Sequence, residues 1–126
     1  MWQVKLMGHR YLSLSEAELA LSRGKSIAVF LEGFLHEGKK CIRWASFSLN
    51  NGVVAGKLWA AFDQGDPDYL DIWTFEGVFS EYDEPVKETT SPNLASACIE
   101  LGIESSKFVN ESIVQDEYSD YLKIST

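Results

Sequence analysis

The sequence predicts a single α+β domain over residues 1–126, built on a mainly antiparallel sheet of about five strands. With 126 residues, 45% of them hydrophobic, the chain can bury one core without a disulfide or a metal. Apolar and polar residues alternate along several short segments, which is the period of a strand. Short turns separate these segments, so neighbouring strands are expected to pair antiparallel.

Four segments of similar length predict a central meander. They are Ile27 to His36, Cys41 to Leu49, Val53 to Phe62 and Tyr69 to Phe79. Asn51-Gly52 is the strongest turn signal, because a type I′ hairpin turn requires positive φ at both central residues. The alternation of apolar and polar residues from Trp2 to Met7 predicts a further strand at the N-terminus.

Capping residues predict the helices. Ser15 and Glu18 match a capping box, which predicts a short helix that follows the first strand and ends at Gly24. A second helix is predicted from an N-cap at Ser91 to Gly102. Its apolar stripe consists of Leu94, Cys98 and Leu101. Helical spacing near the C-terminus predicts one more helix, on Val114, Tyr118, Tyr121 and Leu122.

The two faces of the meander are predicted to differ. One face is aliphatic and is assigned to the core; in the first strand it carries Ile27, Val29, Leu31 and Leu35. The other face mixes large aromatic side chains with charges and hydroxyls. The C-terminal segment is expected to cover this face at least in part, because sheets need cover. Any uncovered part would offer a partner stiff aromatic contact area.

Charge is distributed unevenly along the chain. Residues 1–60 contain eight Lys and Arg against four Asp and Glu, whereas residues 61–126 contain three against fifteen. Nine carboxylates lie between Asp63 and Glu88, with Lys87 as the single cation among them. Such a cluster attracts cationic partners and repels phosphate. Together with the net charge of −8, it argues against nucleic acid as a partner.

No enzyme, metal or cofactor signature is found in the sequence. His9 and His36 are far apart, and Cys41 and Cys98 form no Cys-x-x-Cys pair, so both thiols are expected to be free and buried. The acidic cluster misses the spacing of an EF-hand, and the sequence has neither a phosphate loop nor a Gly-x-Ser-x-Gly motif. We therefore expect no cofactor, no metal and no catalytic residues.

No part of the sequence predicts export or a membrane partner. The first ten residues contain no long apolar stretch and no small-residue cleavage site. No run approaches the roughly twenty apolar residues of a membrane span. We therefore expect a cytoplasmic protein.

Aromatic residues beside carboxylates predict a binding site for a basic protein, because charge accelerates encounter and buried aromatic contacts slow dissociation. The predicted partner-binding residues are Asp66, Asp68, Tyr69, Asp71, Trp73, Glu81, Tyr82, Asp83 and Glu84. In size, acidity and lack of a catalytic signature the chain is similar to bacterial immunity proteins that neutralise toxin domains. This similarity of overall character implies an inhibitor of a cationic, nuclease-type toxin. It assigns no residue roles.

Two alternatives stay open. The first is a small-molecule pocket under the C-terminal helices, with His36 or Lys57 among its polar groups. Its aromatic lining would be Phe30, Phe34, Trp44, Trp59 and Trp73. The second is an enzyme, which requires His36 and Glu32, or another acid, to converge in a cleft.

Overall fold

A computed structural model describes residues 11–79 and 84–125, which form a five-stranded antiparallel sheet with helices on both faces. In chain order the elements are α1 (Leu14–Ser22), β1 (Ile27–His36), β2 (Lys39–Asn50), β3 (Val53–Phe62), β4 (Lys87–Ser91), α2 (Leu94–Leu101), β5 (Val109–Asn110) and α3 (Val114–Ser125). The strand order is β4-β3-β2-β1-β5. The predicted α+β class is confirmed. The predicted strand from Trp2 to Met7 lies outside the described residues.

The meander of β1, β2 and β3 confirms the sequence prediction. β1 and β3 have the predicted bounds, and β2 is slightly longer than predicted. Asn51 and Gly52 have φ values of 51° and 81°, as a type I′ turn requires. Glu37 and Gly38 repeat this geometry with φ values of 52° and 80°, so the first hairpin turns in the same way.

A bulge in β1 overturns the predicted faces of that strand. The pairing with β2 shifts between Phe30 and Glu32, so Leu31 is an extra residue in the ladder. Because a one-residue shift exchanges the two faces, Phe34 lies on the aliphatic side of the sheet and not beside Phe30. For the same reason Leu35, predicted to be in the core, is 72% exposed.

The predicted strand from Tyr69 to Phe79 is wrong. After β3 the chain forms a closed loop over residues 63–76, called the acidic loop below. The Phe62 amide donates to the Glu76 carbonyl at 2.9 Å, and the Gln64 side chain accepts from the Glu76 amide at 2.8 Å. A short 3-10 helix occupies Ile72–Thr74 within the loop. Ile72 and Phe75, which a strand would place on opposite faces, are therefore both able to pack on the same face of the sheet.

The edge strand of the sheet forms later in the chain than predicted. The Val78 amide donates to the Ala60 carbonyl at 3.2 Å, and the Val86 amide donates to the Leu58 carbonyl at 2.7 Å. Regular pairing with β3 then continues along β4. β4 is the outer strand of the sheet, and its polar and charged residues protect an exposed edge against pairing with another chain.

The capping box of helix α1 lies two residues earlier than predicted. The Glu16 amide donates to Ser13 Oγ at 3.1 Å, and the Ser13 amide donates to Glu16 Oε1 at 2.9 Å. Ser15 and Glu18 therefore lie inside the helix, on its exposed side. The predicted end is confirmed, since Gly24 follows the C-cap with a φ of +83°.

Helix α2 has its predicted stripe and end but a different N-cap. Asn93 Oδ1 accepts from the Ser96 amide at 2.8 Å, whereas the predicted N-cap, Ser91, is the buried last residue of β4. Gly102 ends the helix in the left-handed region, at a φ of 74°. The buried stripe includes Leu94, Cys98 and Leu101, as predicted.

Two apolar clusters lie on opposite faces of the sheet. Helices α1 and α2 cover the first face, around Phe47, with mostly aliphatic side chains. Helix α3 and the acidic loop cover the second face, where Trp44, Ile72, Phe75 and Tyr118 are buried. The C-terminal helix therefore covers part of the aromatic face, as expected, and the acidic loop covers a further part of it.

Candidate functional site

Apolar side chains anchor the acidic loop while most of its carboxylates face solvent. Ile72 and Phe75 are buried against the sheet. The loop contains no Lys and no Arg. Its exposed acidic residues are Asp66, Asp68, Asp71 and Glu76. The fold thus exposes negative charge on a loop whose apolar side chains are packed on the sheet.

Tyr118 of α3 ties this loop to the rest of the molecule. Its side chain is fully buried. The hydroxyl donates to the Asp63 carboxylate and accepts from the Gly65 amide at 3.1 Å. Burial raises the pKa of Tyr118 well above its usual range, and the neighbouring Asp63 carboxylate raises it further. The hydroxyl therefore stays protonated and keeps donating to Asp63.

The predicted partner-binding residues of the acidic loop differ in exposure. Asp66 Oδ1 accepts from the Asp68 amide at 2.8 Å, which closes a tight turn with both residues exposed. Tyr69 is 43% exposed, and its hydroxyl is hydrogen-bonded to the Thr74 hydroxyl. Trp73 is half-buried. A partner would therefore meet Asp66, Asp68 and Tyr69 more readily than the Trp73 ring.

The remaining predicted partner-binding residues follow Phe79. Glu84 is exposed and borders a cavity beside the acidic loop. Glu81, Tyr82 and Asp83 lie outside the described residues. Within residues 11–79 and 84–125, no ion pair involves Glu84 or a carboxylate of the acidic loop. The charges of this surface are therefore not neutralised by lysines or arginines in the described part of the chain.

Three of the predicted pocket residues pack as one tryptophan cluster on the aromatic face. The Trp44 and Trp59 rings are stacked, and each lies edge-on to Trp73 at centroid distances of 5.5 and 5.6 Å. A cavity of about 100 Å³ borders these rings, with Glu84 as its charged lining residue. Drug-sized ligands occupy roughly 300–1,000 Å³, so this cavity admits only a much smaller group.

The other two predicted pocket residues lie elsewhere. Phe30 packs against α3, with its ring centroid 5.4 Å from that of Tyr121. Phe34 is across the sheet because of the β1 bulge, and there it stacks on Phe79. Helix α2 covers the aliphatic face of the sheet and not the aromatic face on which the pocket was predicted. The five predicted aromatic residues therefore do not line one pocket, although the three tryptophans among them do pack together.

A second cavity, of about 220 Å³, combines tryptophan with opposite charges. Trp59 and Trp73 border it together with Lys57 and Glu111, and we call it the Lys57–Glu111 cavity. Serine side chains complete its polar lining, from Ser26, Ser46 and Ser48. Burial raises the pKa of Glu111, and the positive charge of Lys57 partly opposes this shift.

Lys57 was predicted as a pocket residue, whereas Glu111 and the serines of this cavity were not. Ser46 and Ser48 alternate with apolar residues along β2, which was a usable signal for hydroxyls on the aromatic face. Glu111 carried no such signal. Its position depends on the two-residue strand β5, which pairs with the start of β1.

His36 and Glu32, the acid–base pair of the enzyme alternative, contact different residues and not each other in the described part of the chain. Arg43 Nε donates to the Glu32 carboxylate at 2.7 Å. The His36 ring lies edge-on to Phe79 at a centroid distance of 5.1 Å. Cys41 and Cys98 are buried, free thiols, as predicted. Burial raises the pKa of both thiols, that of Cys98 to about 11, so neither is a ready thiolate nucleophile.

No protein-family model, curated protein or solved structure matches this chain. In the described ranges, no group of three or more His, Cys, Asp or Glu side chains is arranged to hold a metal ion. None of the helices built from those ranges has the length and apolar character needed to cross a membrane. The acidic loop and the two cavities are the candidate functional features of the described chain.

Proposed function

We propose that this protein is a non-enzymatic, cytoplasmic binding module that captures a basic protein through the acidic loop and Glu84. The partner class we favour is a cationic, nuclease-type toxin domain, which would make the protein an immunity-type inhibitor. The observation that carries the proposal is an anchored loop whose exposed carboxylates have no counter-ion in the described part of the chain.

Unpaired surface carboxylates support rapid capture of a cation. Asp66, Asp68 and Asp71 are exposed on a loop without a positive charge. Their fields add, so they raise the local concentration of a basic partner and accelerate encounter. A nuclease presents cationic side chains where it binds phosphate. The carboxylates of the acidic loop would form ion pairs with those same side chains.

The anchoring of the loop supports tight binding once contact is made. Tyr118 holds Asp63 and Gly65 from the core side, and Phe75 packs edge-on against the Tyr118 ring at 5.5 Å. A preorganised surface loses little conformational entropy on binding. Tyr69, exposed on the same loop, offers a stiff aromatic contact that slows dissociation.

Affinity capture with a matched pair of variants tests this proposal. The immobilised protein is exposed at low salt to a lysate of its own source cells, and bound proteins are released with high salt. We expect a basic protein to be retained by wild type and lost by Asp66→Asn/Asp68→Asn/Asp71→Asn. The control, Glu18→Gln/Glu104→Gln/Asp116→Asn, removes the same charge at exposed positions outside the loop and should retain it. The proposal is contradicted if neither the wild type nor the control variant retains a basic protein.

A further inference from the structure

The Lys57–Glu111 cavity holds two opposite charges that form no ion pair with each other. Within residues 11–79 and 84–125, neither Lys57 Nζ nor the Glu111 carboxylate forms an ion pair or a side-chain hydrogen bond. Glu88 lies directly across the strands from Lys57, yet no ion pair forms there either. The Lys57 ammonium instead lies 6.0 Å from the centroid of the Trp59 ring.

The positive end of this cavity also has a hydroxyl donor. Ser46 on β2 is the direct cross-strand neighbour of Lys57 on β3, so both side chains leave the same face of the sheet. Trp59 Nε1 donates to Ser46 Oγ at 3.0 Å. Since this oxygen already accepts a hydrogen bond, its own O–H proton is free to donate. Lys57 and Ser46 together form a site for an acceptor such as a carboxylate.

The negative end is held in place by backbone contacts. The Glu111 amide donates to the Ser26 carbonyl at 3.0 Å, which fixes the start of the short 3-10 helix Glu111–Ile113. Burial of the Glu111 carboxylate disfavours its charged form. A carboxylate whose charged form is disfavoured by burial and that borders a cavity is a candidate ligand-binding group.

We propose that this cavity binds a small zwitterion of the α-amino-acid class. The ligand carboxylate would accept from Lys57 and Ser46, and its ammonium would donate to Glu111. Its side chain would lie against Trp59 and Trp73. The cavity of about 220 Å³ is smaller than a typical drug site, which suits a ligand of this size.

Opposite unpaired charges favour a zwitterion over a neutral sugar. Tryptophan rings with serine hydroxyls would also suit a saccharide. A saccharide, however, would leave the partly buried Glu111 carboxylate without a counter-charge, and it would gain nothing from the charge of Lys57, which is exposed. Glucose is therefore the neutral probe that separates the two ligand classes.

Titration with free amino acids tests the proposal without any basic protein, so its outcome is independent of the proposed partner. We expect at least one common L-α-amino acid to bind at millimolar concentration or tighter and to shift the indole N–H NMR signal of Trp59. The amide and the N-acetyl derivative of that amino acid should each bind at least about tenfold more weakly, because each loses one charge-assisted hydrogen-bonding group.

Two variants and two controls assign the binding to this cavity. Glu111→Gln and Lys57→Met should each weaken binding roughly tenfold. Glu104→Gln and Lys40→Met change exposed charges outside the cavity and should leave it unchanged. The proposal is overturned if no common amino acid binds, if glucose or the charge-deleted derivatives bind equally well, or if the controls weaken binding as much as the cavity variants.

Discussion

Two residues, Gly65 and Tyr118, determine how closely the acidic loop approaches α3. A Cβ at Gly65 would lie 2.5 Å from the Tyr69 carbonyl oxygen and 2.7 Å from the Tyr118 ring. The carbonyl belongs to the backbone and Tyr118 is fully buried, so neither can move aside without displacing the loop. This contact is the physical reason for glycine at position 65.

Gly65→Ala should lower the free energy of unfolding by about 1–3 kcal/mol, the usual range for an overpacked site. Gly56→Ala is the control. Its Cβ would approach its nearest neighbours, the Leu101 and Phe47 side chains, no closer than 3.1 Å, which is a milder contact. Urea unfolding of both variants measures the difference. An equal or larger loss in Gly56→Ala would show that the loop tolerates displacement.

Glu111 is expected to reduce stability at neutral pH. Its pKa is raised by folding, so between the ordinary value of 4.5 and the raised value the folded state binds more protons than the unfolded state. Stability from this group is therefore lost as the pH rises through that window. Glu111→Gln should leave stability near pH 4 almost unchanged and increase it near pH 7. Urea unfolding at both pH values measures this, and a variant that is less stable at pH 7 would contradict it.

At the scale of elements, the sequence predicted those parts whose local signals agree with their packing. β1 to β3 combine alternation with turn residues of positive φ, so their bounds were predictable. Tyr69 to Phe79 was predicted as a strand from its alternation, but in the acidic loop Ile72 and Phe75 turn to the same face of the sheet. The β1 bulge was not predicted, although Gly33 inside the strand was a weak local signal for it, and it separated Phe34 from the predicted aromatic pocket.

The start of α1 shows how two overlapping capping patterns were resolved. Ser13-x-x-Glu16 and Ser15-x-x-Glu18 have the same spacing. The Leu12 amide donates to the Phe108 carbonyl at 2.7 Å, which holds the chain in an extended bridge immediately before Ser13. A long-range contact therefore selects the earlier cap, and local sequence could not decide this.

Ser13→Ala should destabilise the protein by roughly 1 kcal/mol, because the Glu16 amide loses its acceptor. Ser15→Ala, at an exposed position within the helix, should have little effect or slightly stabilise. Thermal unfolding of the two variants compares them directly. A larger loss in Ser15→Ala would mean that the later cap is used.

At the scale of the whole molecule, the side chains that anchor the acidic loop and the side chains that carry its charge lie on opposite sides of the loop. α3, Trp44 and Trp59 lie under the acidic loop, while most of the loop carboxylates face solvent. The acidic cluster could be predicted because charge is read directly from sequence. Its closed shape, the Tyr118 anchor and the Lys57–Glu111 cavity could not, since each joins residues from distant parts of the chain.

The most direct test of this account is the rate constant for association with the captured basic partner, measured by stopped flow across a range of salt concentrations. We predict fast association at low salt that slows as salt rises. Asp66→Asn/Asp68→Asn/Asp71→Asn should reduce the low-salt rate by about tenfold or more and flatten its salt dependence, while Glu18→Gln/Glu104→Gln/Asp116→Asn should change it little. Equal effects of the two triple variants, or a rate independent of salt, would contradict the account.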